Sequence, residues 1–174
     1  MMARALAAAA VSIAALSACG NKPPETPMSN TADPLLASLE AACASVLAHP
    51  TDGQALTQAL GAVDPSHDGT PVLKPTDAAF SLGRVSTGPD GDVRGVELTL
   101  ADPSPTLAAS LQAAWGAGRT LPMMPRGPQR QAWTRDLGPS HDHVCMVIAS
   151  LRRSDASWTD GKVETVTLRP DPRL

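Results

Sequence analysis

Apolar residues recur at steps of three and four in the stretch that follows residue 33. The positions are Leu36, Leu39, Cys43, Val46 and Leu47. This spacing is typical of one face of an α-helix. Asp33 followed by Pro34 supplies an N-cap and a proline at the first helical position. Pro50 ends the helix at His49, because the residue before a proline is pushed out of the α region.

A second, weaker helical pattern runs from about residue 52 to 62 and predicts an αα-hairpin with the first helix. Its apolar stripe consists of Ala55, Leu56, Ala59, Leu60 and Val63. Residues 64–76 contain three prolines, Gly69 and several polar residues, a composition typical of a surface loop. We therefore expect the chain to cross the surface there without regular structure.

Period-two alternation predicts strands at residues 79–86 and 93–100, joined by a turn at residues 87–91. In the second of these, Val96, Leu98 and Leu100 alternate with Glu97 and Thr99, so one face is buried and the other exposed. A third helix follows a cap at residues 102–104 and ends near Gly116 and Gly118. Its apolar positions are Leu107, Leu111, Ala114 and Trp115.

The last third of the chain predicts a long loop and a second hairpin. Residues 118–139 contain four prolines and are expected to form a loop, and long loops are often either functional or disordered. Residues 144–151 are almost wholly apolar and predict a central strand, and residues 162–168 predict its partner. The sum is a single α+β domain: a helical pair, then two β-hairpins of an antiparallel sheet with a helix between them.

The first nineteen residues have the layout of an export signal. Arg4 precedes an apolar run of twelve residues, which is too short to span a bilayer as a helix. The run closes with Leu16, Ser17, Ala18 and Cys19, which resembles the lipobox of bacterial lipoproteins. The resemblance implies cleavage before Cys19 and lipidation of its sulfur. The alternative is a plain secreted protein in which Cys19 is incidental.

This resemblance divides the chain into a signal peptide at 1–18, a lipidated cysteine with a proline-rich tether at 19–33, and a domain at 34–174. Two acyl chains make a stable membrane anchor, because each buried methylene contributes about 0.8 kcal/mol. Gly20 and Asn21 follow the cysteine, where an aspartate would favour retention in the inner membrane. The expected location is therefore the outer membrane, facing the periplasm.

Composition narrows the function classes without identifying a reaction. The 14 Lys and Arg against 17 Asp and Glu give a formal charge of -3, which argues against a nucleic-acid partner. Aromatic residues make up only 2% of the chain, so the core is expected to be aliphatic. We find no set of residues that convincingly predicts catalysis or a cofactor.

Two cysteines remain after Cys19, and both lie in apolar segments. Cys43 is on the buried face of the first helix and Cys145 is in the most apolar strand. Exported domains commonly pair such cysteines, which predicts a disulfide between them. The alternative is two separate buried thiols.

The 118–139 segment holds the candidate partner-binding residues. These are Met123, Met124, Arg126, Arg130 and Trp133. Methionine, tryptophan and arginine are enriched where protein partners bind. The alternative is that the large apolar side chains fold back to cover the sheet.

One short cluster could carry other chemistry. If the strand extends backward, His141, His143 and Cys145 share a face and provide candidate ligands for zinc or copper. Asp142 with these histidines is the candidate site of a cell-envelope hydrolase. The favoured function is nevertheless a noncatalytic lipoprotein that binds another envelope protein, as an assembly factor, inhibitor or immunity protein does.

Overall fold

Three helices and eight strands follow one another in the residues that the structure describes. The structure is a computed structural model, and it describes residues 33–64, 72–122, 127–138, 142–153, 155, 157, 158 and 160–173. The elements in chain order are α1 (Pro34–Ala48), α2 (Gly53–Leu60), β1 (Gly61–Asp64), β2 (Val72–Pro75), β3 (Phe80–Thr87), β4 (Val93–Ser104), α3 (Leu107–Trp115), β5 (Arg119–Thr120), β6 (Arg130–Arg135), β7 (His143–Leu151) and β8 (Val163–Pro172). Within these ranges no helix is both long and apolar enough to cross a membrane.

The eight described strands form one antiparallel sheet. Their order is β1-β2-β3-β4-β8-β7-β6-β5. Strands β1 to β4 form one meander and strands β5 to β8 form another, and the two meanders meet where β4 pairs with β8. The α+β prediction is confirmed, with the helical pair preceding the sheet.

Each helix has, at or just before its start, a side chain that accepts from one of its free backbone N–H groups. The Asp33 carboxylate accepts from the backbone N–H of Leu35 at 3.1 Å, and the Asp52 carboxylate caps α2 in the same way. The Ser104 hydroxyl accepts from the N–H of Leu107 at 3.1 Å at the start of α3. Such bonds satisfy donors that have no partner within the helix, which fixes where each helix starts.

All three helices pack on one face of the sheet. α1 lies against β7 and β8, α2 lies against β1, β2 and β3, and α3 lies against β6. The buried residues of α1 are Leu39, Ala42, Cys43, Val46 and Leu47. They form one aliphatic core with the inward-facing strand residues, among them Val96, Val147 and Leu168. The other face of the sheet carries none of the helices that the structure describes.

Two segments predicted as loops contain strands. The expected surface loop at 64–76 includes β2, whose Leu73 pairs with Val63 of β1, and residues 65–71 lie outside the described residues. α2 ends at Leu60, so Val63 belongs to a strand and the helical stripe was extended too far. Each of these strands has four residues, too few to show alternation clearly, and pairing supplies their hydrogen bonds.

The predicted 118–139 loop was wrong in the same way, because it contains β5 and β6. β6 pairs with β7 along its whole length, from Arg130 opposite Ser150 to Arg135 opposite Cys145. Pro122 and Pro128 lie between β5 and β6, so these prolines precede β6 and do not make the whole segment a loop, and Pro125 and Pro139 lie outside the described residues.

Candidate functional site

The Cys43–Cys145 disulfide joins α1 to β7 and identifies which sheet face the helices cover. The predicted bond is present, so Cys145 points toward the helices. Side chains alternate along a strand, and residues directly opposite one another in an antiparallel pair share a face. Met146, Ile148 and Ser150 therefore point to the other face of the sheet, which we call the open face.

Strand register extends the open face across the sheet in three rows. The first row is Leu82, Thr99, Thr165, Ser150 and Arg130; the second is Arg84, Glu97, Thr167, Ile148, Ala132 and Arg119; the third is Arg169, Met146 and Thr134. Their charged members are four arginines and one glutamate, and the next row, Val144 and Asp171, adds one aspartate beside Arg169. The open face is therefore cationic although the whole chain has a formal charge of -3.

A groove of about 370 Å³ lies on this face. It is lined by Glu97, Gly127, Pro128, Arg130, Ile148, Ser150, Thr165, Thr167 and Arg169. All the strand residues in this set belong to the three rows. Gly127 and Pro128 form one wall, and the carbonyl of Gln129 beside them accepts from the N–H of Leu151 at 3.0 Å. That bond ties the wall to the end of β7.

The floor of the groove is partly apolar and well covered. Ile148 and Ser150 are each only 8% exposed, and neither belongs to the core that packs under the helices. Thr165 and Thr167 are half-buried beside them. Methyl groups and hydroxyls thus lie side by side, which suits a ligand that offers both aliphatic and hydrogen-bonding groups.

The arginines of the open face have few partners in the part of the chain that the structure describes. The Arg130 guanidinium donates to the carbonyl of Pro122 at 3.3 Å, and Arg169 lies 3.6 Å from the carboxylate of Asp171. Among the described residues, no ion pair or side-chain hydrogen bond is found for Arg84 or Glu97 although they are directly opposite. The described residues therefore use little of the hydrogen-bonding capacity of these side chains.

The candidate partner-binding residues separate in the structure. Arg130 borders the groove, whereas Met123, Met124 and Arg126 lie outside the described residues. Trp133 is 3% exposed and its indole N–H donates to the carbonyl of Gly116 at 3.1 Å. A Cβ atom at Gly118 would lie 2.5 Å from the Trp133 ring, so backbone covers the indole closely. Trp133 is therefore a core residue, and its place among the surface candidates is corrected.

The metal site predicted from His141, His143 and Cys145 lacks the cysteine ligand in the structure. Cys145 is bonded to Cys43, so its sulfur is not a free thiolate for a metal. His143 is half-buried at the start of β7, and His141 lies outside the described residues. Asp142 lies just before β7, where its carbonyl accepts from the N–H of Arg173 at 3.0 Å. The metal-carrier and hydrolase alternatives therefore remain predictions.

Sequence reasoning missed most of the groove. Thr165, Thr167 and Arg169 alternate with Val166 and Leu168, so the exposed side of β8 was readable. The pairing of β8 with β4 brings Glu97 beside these three residues, and no pattern in the sequence indicates that pairing.

Another cavity, separate from the groove, lies on the helix side of the sheet and is mostly apolar. It measures about 330 Å³ between α1 and α2, with Phe80 and Leu98 at its floor. Its α1 side is lined by Ser38, Ala41, Ala42 and Ser45. Small residues there leave the space open, and Asp77 is the charged residue in the lining.

Comparison with protein-family models, with curated proteins and with solved structures found no match to this chain.

Proposed function

We propose that this protein is a lipid-anchored envelope lipoprotein that binds another envelope protein through the open face of its sheet. The observation that carries the proposal is the groove itself, a concave site bordered by Arg130 and Arg169 on a sheet face that no described helix covers. Arginine is enriched at protein interfaces, and its planar guanidinium directs several hydrogen bonds at once.

The disulfide and the export signal support the same compartment. Disulfides persist in oxidising environments such as the periplasm, and Cys43–Cys145 is such a bond. The Leu16 to Cys19 box supports anchoring at Cys19, which lies outside the described residues. Replacing Cys19 by Ala should abolish incorporation of a palmitate analogue, and label retained in that variant would exclude this cysteine as the acceptor.

The binding role is noncatalytic. The groove holds one carboxylate, Glu97, with hydroxyls and guanidinium groups around it. General acid–base and nucleophilic catalysis need a base within hydrogen-bond reach of the group it activates. No bond from a threonine or serine hydroxyl to Glu97 is found among the described residues. Recognition therefore accounts for this arrangement better than a reaction does.

Photo-cross-linking in the native host tests the proposed face. A benzophenone amino acid is placed at Thr167, which lines the groove, and in a control at Gln112, an exposed position on α3. We expect a specific cross-linked envelope protein from position 167 and none from position 112. Cross-links from position 112 alone would place the interface on the helix side and contradict the proposal.

A further inference from the structure

The charge of the open face is opposite to that of the chain. The three rows carry Arg84, Arg119, Arg130 and Arg169 against Glu97, and Asp171 in the next row lies 3.6 Å from Arg169, while the chain as a whole has a formal charge of -3. Opposite charges attract a partner from a distance of about one Debye length, roughly 8 to 10 Å at physiological salt. A cationic face on an acidic protein therefore selects an anionic surface on the partner.

The arginines are distributed so that the groove has two different ends. Arg130 is on β6 in the first row, and Arg169 is on β8 in the third. Strand spacing and rise put their Cα atoms about 16 Å apart. An extended segment of about five residues has the same length. Such a segment reaches both guanidinium groups while it lies over Ile148 and Thr167.

Glu97 distinguishes a protein segment from a uniformly anionic membrane surface. It lies on β4 next to β8, at the Arg169 end of the groove, and is exposed. A carboxylate there repels a surface of phosphates but accepts a hydroxyl, amide or cationic side chain. The wall formed by Gly127 and Pro128 also makes the site concave, whereas a bilayer surface is flat on this scale.

We propose, building on the proposed function, that the groove binds an extended acidic segment of the partner protein, with Arg130 and Arg169 each receiving a carboxylate. Guanidinium and carboxylate groups match in a planar, two-bond geometry, so arginine orients the segment as well as attracting it. Ile148 lies between the two arginines, and the hydroxyls of Thr165 and Thr167 beside it on β8 contact the polar groups of the segment.

A defined peptide tests this inference with the full chain in detergent. The probe is a fluorescent ten-residue peptide of alternating Glu and Thr, with a Lys and Thr peptide and glycerol 3-phosphate as comparison ligands. We expect the glutamate peptide alone to shift the amide resonances of the three rows. Arg130→Glu and Arg169→Glu should each weaken the affinity for the glutamate peptide about tenfold, because reversal of a contacting charge adds repulsion.

Arg94→Glu is the matched control, since Arg94 is exposed and its guanidinium lies over Gly88 in the β3–β4 turn. It changes the net charge equally, and we expect less than a twofold effect. If all three variants weakened peptide binding equally, the binding would depend on the net charge of the protein and not on the groove, and the inference would be overturned. Tighter binding of glycerol 3-phosphate than of the peptide would assign the site to a phosphate headgroup and also overturn it.

The acidic-segment inference and the proposed function can fail independently in these experiments. If Thr167 cross-links an envelope protein whose contacted segment has no excess of Asp and Glu, the acidic-segment inference is wrong and the proposed function stands. If the peptide binds the groove as described and no protein cross-links there, the proposed function fails while the charge recognition stands.

Discussion

The two faces of β6 compare directly, because one six-residue strand supplies both. Trp133 points under the helices, is 3% exposed and donates its indole N–H to the carbonyl of Gly116. Arg130 points to the open face and borders the groove. Residues three apart along a strand lie on opposite faces. One short segment therefore supplies both a core residue and a residue of the proposed binding face, although both residues are of types enriched at interfaces.

Arginines on the two faces are also used differently. Arg135, on the helix side of β6, lies 2.9 Å from the Glu40 carboxylate of α1, and its guanidinium carbon lies 5.8 Å from the Trp115 ring centroid. Among the described residues, the Arg130 guanidinium donates to the Pro122 carbonyl at 3.3 Å and is paired with no carboxylate. Internal pairing holds the first arginine in the fold. The second uses few of its donors within the described part of the chain, which is what the proposed binding role requires.

The largest expected effect is loss of the disulfide on the helix side. The bond closes a loop with a sequence separation of 102 residues, so the chain-entropy model gives it about 4 to 5 kcal/mol of stability. Replacing Cys43 and Cys145 by Ala should lower the free energy of unfolding by about that amount in urea denaturation. Reduced wild-type protein is the control, because it loses the bond and keeps both sulfurs. An unchanged unfolding midpoint in both samples would show that the bond does not form in the exported protein.

Truncation of Trp133 comes next. Trp133→Ala removes a buried indole and its hydrogen bond, and such changes cost about 3 to 5 kcal/mol. Thermal unfolding should show a fall of many degrees in Tm. Trp133→Phe keeps a ring but loses the donor to Gly116, so its Tm should lie between those of the wild type and the alanine variant. A Tm of Trp133→Ala equal to that of the wild type would place this side chain outside the core.

The smallest expected effect concerns the pKa of Asp136, the residue that follows the last residue of β6. The N–H of Gly138 and the guanidinium of Arg173 hold the pKa of Asp136 below the usual value of an aspartate. Because the folded-state pKa is depressed, the stabilisation is present above the unfolded-state pKa and is lost as pH falls through the folded-state pKa. Carbon-13 NMR titration should give a low midpoint for this carboxyl, and Arg173→Ala should raise it. An unaltered midpoint in that variant would exclude the ion pair as a cause.

Local patterns predicted much of the helix side. The α1 stripe, its Asp33 cap and its end near Pro50 are all visible in the sequence, and Leu39, Cys43 and Val46 are buried as expected. The strands around Val96 and Val147 are predictable for the same reason, since alternation and apolar runs report burial directly. The Cys43–Cys145 bond followed from two cysteines in apolar elements of an exported chain.

The groove depends on information that no local pattern contains. Glu97 and Thr167 are 70 positions apart in numbering and meet only because β4 pairs with β8. The separation of Arg130 from Trp133 required β6 to be recognised as a strand. Four prolines near it favoured a loop, and pairing with β7 outweighed that local signal. Long-range pairing thus decides which residues form the site.

The Arg130→Glu variant tests the central claim most directly. The claim is that the open face binds a partner protein while the helix face stabilises the fold, so both the stability of the variant and its cross-linking to the partner are measured. The variant is read by its Tm and by the yield of the cross-link from position 167. The account predicts a Tm close to that of the wild type, since substitutions of such surface residues usually change stability by less than about 0.5 kcal/mol. It predicts at the same time a cross-link yield reduced several-fold. A full cross-link yield, or a fall in Tm as large as that of Trp133→Ala, would contradict it.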